Sequence, residues 1–593
     1  MIKTINDVHQ QFADYFGSEK LKPYAYLLSR RLSEGNICLH LSDISKEENE
    51  KVAEIYHTEL ATLKELSAEP LVDSESGQPF IIHKNKMYFQ RYFHYETIIL
   101  KKLKEFIANE ETVFEKRVDL LLSQKNVISN LFSKKSLHDS EDTPDWQLVA
   151  AINAVINNFT IITGGPGTGK TTTVAKILSI LFHANPDLKV ALAAPTGKAA
   201  TRMAESLKNA NSDLHESLKE KLETLIPSTI HRLLKTIKGS HYFRHNHENP
   251  LNFDVVIVDE SSMIDTALFA KLLDAISPKT RLILLGDKDQ LASVEAGSLF
   301  GDLCKALPAT NQFSQERIQL IHSFTSHAAK LSPAKMSENN HPLFQHIIEL
   351  KYSHRFKDDE GIGKFSKAII ENNGPAIQSF FDHPDDQVKI DWKSDEDIFN
   401  EFIRGYSSFI KETDTLSALK KLNQLRVLCA IREGERGLYA TNKKIENYLI
   451  QKHLVKYTGD FYENRPIMVT SNNYELELFN GDVGIIRKNE KGVAMAWFEN
   501  ADGSLKSVFP AFISNLETVY AMTIHKSQGS EFNKVLIILP DQDIAILTRE
   551  LLYTAITRAK EKVIVQGKKE VILNAANARV KRTSGIAERF IAD

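Results

Sequence analysis

Cysteine is scarce in this sequence. Three cysteines occur in 593 residues, namely Cys38, Cys304 and Cys429, which lie far apart and form no CxxC pair. This spacing excludes a disulfide framework and the clustered ligands of a zinc or iron–sulfur site. Long apolar runs are also missing, since no stretch reaches the roughly 18 apolar residues that a membrane span needs. The N-terminus has no signal-peptide pattern, so we expect a soluble, reduced, cytoplasmic protein.

An excess of charge of one sign is absent as well. The 74 basic and 77 acidic residues give a net charge of −3, so contact with a polyanion must depend on local basic patches. The 26 glycines and 18 prolines are few for this length, which excludes collagen-like and low-complexity architectures. A chain of 593 residues is long enough for about three or four domains.

Two series of short apolar runs, each alternating with amphipathic stretches, predict an α/β fold with two parallel sheets wrapped by helices. The first series contains FTIIT, KVALAAP, DVVIVDE and TRLILLGD, and the second contains LRVLCAI, TVYAMTI, KVLIILP and KVIVQG. Short alternating segments interrupt the second series and indicate a small β-barrel. The predicted domains are 1–132 (helical, N-terminal), 133–144 (linker), 145–357 and 358–593 (the two α/β domains), with the β-barrel insertion at 462–515.

The segment GGPGTGKTTT matches the phosphate-binding pattern G-x-x-x-x-G-K-[ST]. It follows a predicted strand and precedes a predicted helix, so its backbone N–H groups and the helix N-terminus can hold phosphates. We expect Lys170 to reach the β and γ phosphates and Thr171 to ligate Mg²⁺. The residues expected to bind nucleotide in this segment are Gly164, Gly165, Pro166, Gly167, Thr168, Gly169, Lys170, Thr171 and Thr172.

A second acidic signal stands at the end of the apolar strand VVIVDE. A carboxylate pair in such a place is costly unless it faces a site. We expect Asp259 to hold Mg²⁺ and Glu260 to polarise the attacking water. Together with Lys170, this pair indicates an NTPase that uses Mg²⁺.

Further motifs, in order over nearly all of residues 147–560, resemble those of superfamily 1 DNA helicases. They are LAAPTGKAATRM, LLGDKDQLASVEAGSLFGD, YSHRF, AMTIHKSQGSEF and LLYTAITRAK. Their forms resemble the branch that moves 5′ to 3′, and within it the alpha-chain family of exodeoxyribonuclease V, the RecD helicase subunits. EGNICLHL and MYFQRYFHYE resemble parts of that family's N-terminal domain, with ordinary core packing of their aromatic residues as the alternative.

The resemblance implies roles for individual residues. Gln147 would read adenine, Gln290 and Arg355 would contact the γ-phosphate, and Arg558 would be the arginine finger. Glu531 would touch the nucleotide sugar or its neighbours. The two α/β domains would be RecA-like and the insertion SH3-like. The residues that would line a groove for single-stranded DNA are Thr196, Lys198, His525, Lys526 and Gln528.

The implied function is that of an ATP-dependent 5′ to 3′ DNA helicase within a heterotrimeric exodeoxyribonuclease V, acting in double-strand break repair and recombination. Its partners would be single-stranded and duplex DNA, a helicase-nuclease beta chain and a recognition gamma chain. Two-metal DNA cleavage needs several converging carboxylates, and no motif beyond Asp259 and Glu260 offers them, so a nuclease site is expected in another chain. Two alternatives remain, a stand-alone 5′ to 3′ helicase and an ATP-gated DNA clamp without unwinding.

Three further segments receive simpler interpretations. A partner-docking N-terminal domain is expected to expose apolar residues between Tyr88 and Tyr95. HYFRHNHENP, with His241, His245 and His247, lacks a matching cluster of ligands and is typical of a solvated loop. The basic segment ARVKRTSG near the C-terminus is interpreted as a surface helix end and not as a DNA clamp.

Overall fold

The computed structural model describes residues 7–132, 143–210, 216–325, 331–333, 341–356, 359–383, 385–473, 475–500 and 503–592. Most of the predicted linker, residues 133–142, lies outside these ranges. Among the described residues, no helix is both long enough and apolar enough to cross a membrane.

The N-terminal region combines helices with a small sheet. Its helices are α1 (Val8–Asp14), α2 (Lys22–Ser33), α3 (Lys46–Tyr56), α4 (Leu63–Leu66), α5 (Gln90–Ala108), α6 (Phe114–Ser123) and α7 (Lys125–Leu131). Its strands are β1 (Cys38–His40), β2 (Val72–Asp73), β3 (Phe80–His83) and β4 (Lys86–Phe89). The four strands form one sheet in the order β1-β4-β3-β2. The expectation of a helical domain omitted this sheet, because strands of two to four residues are too short to show a clear alternation.

The first α/β unit follows. Its strands are β5 (Phe159–Thr163), β6 (Val190–Ala194), β7 (Ser228–Thr229), β8 (Val255–Val258), β9 (Arg281–Gly286) and β10 (Ile347–Glu349). Its helices are α8 (Trp146–Ile156), α9 (Lys170–Ala184), α10 (Gly197–Ala210), α11 (Glu216–Thr224), α12 (Ile230–Leu234), α13 (Thr266–Ala275), α14 (Leu299–Lys305) and α15 (Gln315–His322). The strands pair in parallel in the order β10-β5-β9-β8-β6-β7. Ligand-binding loops in such sheets lie at the carboxyl ends of the strands.

The second α/β unit has the same architecture. Its strands are β11 (Val388–Asp391), β12 (Leu425–Cys429), β18 (Ala521–Thr523), β19 (Phe532–Ile538) and β20 (Ala559–Gln566). They pair in parallel in the order β11-β20-β19-β12-β18. Its helices are α16 (Gly361–Glu371), α17 (Gly374–Asp382), α18 (Glu396–Arg404), α19 (Ser407–Ile410), α20 (Thr415–Leu422), α21 (Leu438–Gln451), α22 (Arg549–Ile556), α23 (Lys569–Asn577) and α24 (Ile586–Ala592). The two parallel sheets agree with the α/β class expected from the apolar runs.

Five strands are inserted between β12 and β18. They are β13 (Pro466–Val469), β14 (Val483–Lys488), β15 (Ala494–Glu499), β16 (Leu505–Val508) and β17 (Leu516–Thr518). All pairs in this sheet are antiparallel, in the order β16-β15-β14-β13-β17. Eight buried apolar residues, among them Ile467, Ile486 and Phe498, give the insertion a core of its own.

The C-terminal segment returns from the second α/β unit to the N-terminal region. The buried Arg589 side chain of α24 pairs with the fully buried carboxylate of Glu96 in α5, at 3.2 Å. Burial raises the pKa of Glu96 to about 7, although Arg589 acts to lower it. We call residues 578–592 the C-terminal strap. Thr583 joins this strap to the N-terminal region, because its backbone N–H donates to the Asn36 side chain and its carbonyl accepts from the Ile37 N–H. The last residues therefore tie the two ends of the chain together.

Two interpretations of surface segments need correction. In ARVKRTSG, Arg579 and Lys581 are exposed, but Arg582 is half-buried and donates to the carbonyls of Glu295 and Gly297. The segment is thus a strap between domains and not a surface helix end. The expected apolar surface around Tyr88 is also wrong, because Tyr88 is fully buried and Tyr95 is only 9% exposed. These side chains pack within the chain, so the expected exposed apolar patch is not formed by Tyr88 and Tyr95.

Candidate active site

The phosphate-loop segment is wrapped around the first turn of a helix. Helix α9 begins at Lys170, directly after strand β5 and the glycine-rich turn. Gly167 and Gly169 have φ angles of 79° and 84°, the left-handed region that glycine adopts without strain. A Cβ on Gly167 would lie 2.4 Å from the Arg355 Cβ. Glycine at this position lets the loop and the Arg355 segment approach each other.

The Lys170 ammonium is held inside this loop. Its Nζ donates to the carbonyl of Gly164 at 2.6 Å and to that of Gly165 at 3.1 Å. The Thr168 hydroxyl also donates to Gly165, at 2.8 Å. The Lys170 ammonium and the backbone N–H groups at the helix N-terminus are together suited to bind phosphate oxygens.

Gln147 borders the same loop from helix α8. Its side-chain amide donates to the Thr168 carbonyl at 3.3 Å and lies 3.1 Å from Nε2 of His354. Lys176 donates to its side-chain oxygen at 3.2 Å. His354 was not identified from the sequence as part of the site, although it lies inside YSHRF, directly before Arg355.

The acidic pair lies at the end of strand β8, facing the loop. Burial and the neighbouring Glu260 raise the pKa of Asp259 to about 6, and Lys170 acts in the opposite direction. Glu260 has a φ of 52°, a conformation that costs free energy for a non-glycine residue and that recurs at functional sites. The strand end therefore concentrates negative charge next to the Lys170 ammonium.

Two residues from the second α/β unit reach this place. The buried Arg558 guanidinium, just after α22, donates to the side-chain oxygen of Gln290 at 2.7 Å. Gln290 in turn donates to Asp287 at 2.9 Å, and Tyr553 of α22 donates to the same carboxylate at 3.1 Å. The loop after β9 and the helix α22 are therefore joined by buried side-chain hydrogen bonds.

Glu531 is the centre of a cluster of cations. Its carboxylate pairs with Arg355 at 2.8 Å, with Lys560 at 3.3 Å and also with Arg202. The sequence analysis did not identify Arg202. One signal could have found it, because Arg202 lies four residues after Lys198 on helix α10 and so on the same face. Glu531 therefore lines the cavity and forms ion pairs with three basic side chains.

These groups line one cavity between the two α/β units. Its volume is about 680 Å³. It brings together all of the nucleotide and catalytic candidates from Gln147 to Arg558 except Gly164 and Gly165, which lie just beneath the Lys170 ammonium. The predicted residues that line it are Gln147, Pro166, Gly167, Thr168, Gly169, Lys170, Thr171, Thr172, Asp259, Glu260, Gln290, Arg355, Glu531 and Arg558.

The strand-groove candidates form a second group beside this cavity. Burial and the nearby Arg426 and Arg202 lower the pKa of Lys198 to about 8. Burial also lowers the pKa of Lys526 and of His525. Thr196 lies at the start of α10, where its hydroxyl accepts from the Ala199 N–H at 3.2 Å. Crowded cations of this kind are suited to backbone phosphates.

Gln528 lies elsewhere. It is buried, and its side-chain amide donates to the Leu291 carbonyl at 2.8 Å. The Leu291 N–H donates to the Thr554 hydroxyl at 2.9 Å. In this arrangement Gln528 therefore joins the two α/β units and does not face the groove.

The β insertion closes one side of the groove. The ring of Phe479 lies against Gly197, where an added Cβ would be 3.5 Å from the Phe479 side chain. The Arg232 guanidinium lies 4.4 Å from the centre of the same ring. Lys526 donates to the Asn480 side chain at 2.7 Å. The loop before β14 thus contacts both walls of the groove.

Comparison with known proteins agrees with this geometry. Residues 147–296 match the model of an AAA domain, and residues 518–566 match that of a UvrD-like helicase C-terminal domain. The chain is 35% identical to the RecBCD enzyme subunit RecD of Haemophilus influenzae, over 86% of this chain and 81% of that protein. It is 35% identical to the RecBCD enzyme subunit RecD of Mycolicibacterium smegmatis, over 75% of this chain and 74% of that protein.

A third relative is larger. The ATP-dependent RecD2 DNA helicase of Deinococcus radiodurans is 29% identical over 73% of this chain, but the match covers only 50% of that protein.

Proposed function

This chain belongs to the RecD family of RecBCD enzyme subunits, and from that premise we propose that it hydrolyses ATP to move along single-stranded DNA in the 5′ to 3′ direction as the RecD subunit of a RecBCD enzyme. The observation that carries the proposal is the contact between Arg558 and Gln290, at 2.7 Å. It joins the second α/β unit to the nucleotide side of the cavity. Two RecA-like domains with ATP between them are the machinery for such movement.

Nucleotide is held mainly by the first unit. The β and γ phosphates take the place beside Lys170, whose ammonium now donates to two loop carbonyls and can turn to phosphate oxygens. Gln147, at the edge of the cavity, reads the adenine. We also propose that the β insertion is SH3-like, that the N-terminal domain ends at residue 132, and that the first RecA-like domain spans residues 145–357.

Hydrolysis needs a positioned water and cations on the charge that develops at the γ-phosphate. Glu260 orients the water, because it lies at the strand end beside Asp259 and faces the loop. Arg558 from the second unit and Arg355 beside the phosphate loop supply positive charge, since a guanidinium stays charged even where burial lowers its pKa. Gln290 senses the γ-phosphate and passes its presence to Arg558.

Mg²⁺ fits the residues present. Thr171 and Asp259 offer a hydroxyl and a carboxylate oxygen, which are the donors this ion prefers when phosphates and water complete its shell. Burial is the main cause of the raised pKa of Asp259 and the neighbouring Glu260 carboxylate adds to it, so a bound cation would favour the charged form of this pair. When bound, Mg²⁺ would neutralise charge on the phosphates.

Movement follows from the link between cavity and groove. Arg558 and Gln528 both cross from the second unit to the loop that holds Gln290 and Leu291. A γ-phosphate in the cavity would be contacted by Gln290 from the first unit and by Arg558 from the second, and so would hold the units together. Its loss removes this shared contact, so the units separate and then close again on a new nucleotide. Thr196 and Lys198 grip the strand from one unit and His525 and Lys526 from the other. Relative motion of the two units therefore moves the strand.

Assembly with a helicase-nuclease beta chain and a recognition gamma chain is proposed from family membership. Sequence similarity supports this role over that of a stand-alone helicase, because the chain is 35% identical to the Haemophilus influenzae RecD over 86% of its residues and 29% identical to the Deinococcus radiodurans RecD2 over 73%. The family resemblance also implies that the nuclease site lies in another chain, and this stays part of the proposal.

The test is co-purification combined with turnover. The full chain should hydrolyse ATP faster when single-stranded DNA is added, and it should co-purify with the beta and gamma chains from its own cell. DNA-independent hydrolysis would contradict the translocase. A chain that is fully processive alone and captures neither partner would favour the stand-alone helicase.

A further inference from the structure

A second large cleft lies outside the ATP cavity and the strand groove. It has a volume of about 820 Å³ and separates helix α5 of the N-terminal region from the loop at 241–248 and helix α13. We call it the α5 cleft. The loop is the histidine-containing segment that the nucleotide machinery leaves without a role.

The α5 cleft has cations on both walls. Arg91 and Lys101 line it from α5, and Lys271 lines it from α13. Within the described part of the chain, no carboxylate forms an ion pair with any of these three. Two of the acidic groups on the walls already have partners, since Asp274 lies 3.1 Å from His247 and Glu105 lies 3.9 Å from Lys102. Lys271 also donates to the His241 carbonyl at 2.8 Å, and Glu248 is a third carboxylate on the walls. The four cations on the walls, Arg91, Lys101, Lys102 and Lys271, still outnumber the three carboxylates, and an excess of cations facing one space favours an anionic ligand.

Two further observations describe the shape of this ligand. Burial and the facing Arg91 lower the pKa of Lys271, while the more distant Asp265 acts to raise it, so cations from opposite walls share one space. Ten residues of helix separate Arg91 from Lys101, which corresponds to about 15 Å. This length exceeds one phosphate group and favours a chain of phosphates.

The exposed side chain of Tyr242 lines the same cleft as these cations. Tyr242 lies in the loop wall and is 66% exposed. One face of its ring lies against His241, with 4.2 Å between the ring centres. Exposed rings next to cations are the usual platform for stacking nucleic-acid bases. An acidic peptide would use the cations but would have no use for this ring.

The α5 cleft is close to the proposed strand groove. Strand β6, which leads to Thr196 and Lys198, pairs with β7, and α12 begins directly after β7. The ring of His231 in α12 lies 5.7 Å from the ring of Phe243 in the cleft wall. Only one short helix therefore lies between the groove and the cleft.

We propose that the α5 cleft binds a further segment of single-stranded nucleic acid, through its phosphates and at least one stacked base. The strand that leaves or enters the motor groove continues past α12 between α5 and the 241–248 loop. This inference rests on the proposed function, because it extends the strand path. The N-terminal region then contributes directly to DNA binding.

The test measures how binding to the full chain grows with strand length. Fluorescent oligothymidylates of about 4 to about 16 nucleotides cover the range of one such site and more. In wild type, affinity should rise once the strand is long enough to reach the α5 cleft. In the double variant Arg91→Gln with Lys101→Gln, short strands should bind as in wild type and long strands roughly tenfold more weakly, with the salt slope for long strands lower by about 1.4.

A matched control removes two charges elsewhere in the same region. Lys46→Gln with Lys51→Gln neutralises two exposed lysines of α3 and should leave both affinities unchanged. Tyr242→Ala should weaken long strands roughly fivefold or more, and Tyr242→Phe should not, because stacking needs only the ring. Arg91, Lys101 and Tyr242 are exposed, so these variants should fold.

The outcomes separate the cleft from the motor. Equal affinity of the double variant and the wild type at every strand length would overturn the proposal. It would also be overturned if the double variant lost affinity for polyglutamate but kept its affinity for long oligothymidylate. Stimulation of ATP hydrolysis by short strands reports the motor alone. If that stimulation persists without a length-dependent gain, the cleft proposal fails and the proposed function stands. If the stimulation itself is absent, the proposed function fails.

Discussion

Arg558 donates to the side-chain oxygen of Gln290 at 2.7 Å, although 268 residues separate them in the chain. The guanidinium is also held by the carbonyls of Thr554 and Ser530, each at 3.1 Å. The two backbone carbonyls hold the buried guanidinium in place. The nitrogen that now donates to Gln290 can instead donate to a phosphate oxygen. We propose that this pair transmits nucleotide state between the two α/β units.

Arg558→Ala should lower kcat for ATP about 10³-fold with little change in KM, because an arginine finger acts on charge in the transition state. Arg558→Lys should recover little, since an ammonium cannot reproduce the planar set of donors. Arg579→Ala, which removes an exposed arginine, is the control and should match wild type. Steady-state kinetics decide the matter, and an effect confined to KM would show that Arg558 only binds ground-state nucleotide.

Lys170→Gln should abolish ATP hydrolysis while leaving the fold intact, because the ammonium bonds to two loop carbonyls and carries no core packing. Thermal melting and ATP turnover should be measured on the same preparation. We expect an unchanged melting curve and turnover reduced by more than about tenfold. Turnover close to that of wild type would show that the phosphate loop is misassigned.

DNA binding should depend on pH through Lys198. Its pKa is lowered to about 8 by burial and by Arg426, Arg202 and Arg558, while Asp482 acts in the opposite direction. A lysine is charged below its pKa, so its contact with phosphate is present below about pH 8 and is lost as the pH rises above that value. Affinity for single-stranded DNA should therefore fall roughly fivefold between about pH 7 and about pH 9.

The control for this pH dependence is Lys198→Arg, which keeps its charge over the whole range. Its affinity should change little between the two pH values. An equal fall in the variant and the wild type would assign the effect to another group, and Lys526, whose pKa is also lowered by burial, would be tested next.

The buried pair of Glu96 and Arg589 should stabilise the C-terminal strap. Arg589→Met removes the cation that faces Glu96. Because the pKa of this carboxyl is about 7 even beside Arg589, it takes up a proton in the variant at neutral pH, and the lost contact costs about 1–3 kcal/mol. We expect a lower first thermal transition and faster proteolysis at 578–592. Adding Glu96→Gln should change stability little further at neutral pH, because the carboxyl is already uncharged in the single variant. Unchanged stability of the single variant would show that the strap contributes nothing to the fold.

Local sequence patterns predicted much of the fold and part of the candidate site. The phosphate loop could be placed because a glycine turn between a strand and a helix is a short-range signal, and the apolar runs located the strands that hold Asp259 and Gln290. The contact between Arg558 and Gln290 could be expected only from family resemblance, since nothing in the two segments specifies that they meet.

Long-range packing explains what was missed. Arg582 was interpreted as a surface residue because its neighbours are polar, but its acceptors, the carbonyls of Glu295 and Gly297, belong to a distant loop. Tyr88 was expected on the surface, but it is buried in a cluster with Cys38, Ile81 and Phe93. Gln528 was placed with the groove residues by its motif, and its actual partner, Leu291, lies in the other α/β unit.

The central claim is that ATP hydrolysis between the two units moves the chain 5′ to 3′ along a strand. Strand displacement by the full chain tests it most directly, with duplexes that carry a single-stranded tail at either the 5′ or the 3′ side and with hydrolysable or non-hydrolysable nucleotide. We predict unwinding of the 5′-tailed duplex only, and only with hydrolysable ATP. Preferential unwinding of the 3′-tailed duplex, or displacement without hydrolysis, would contradict the account.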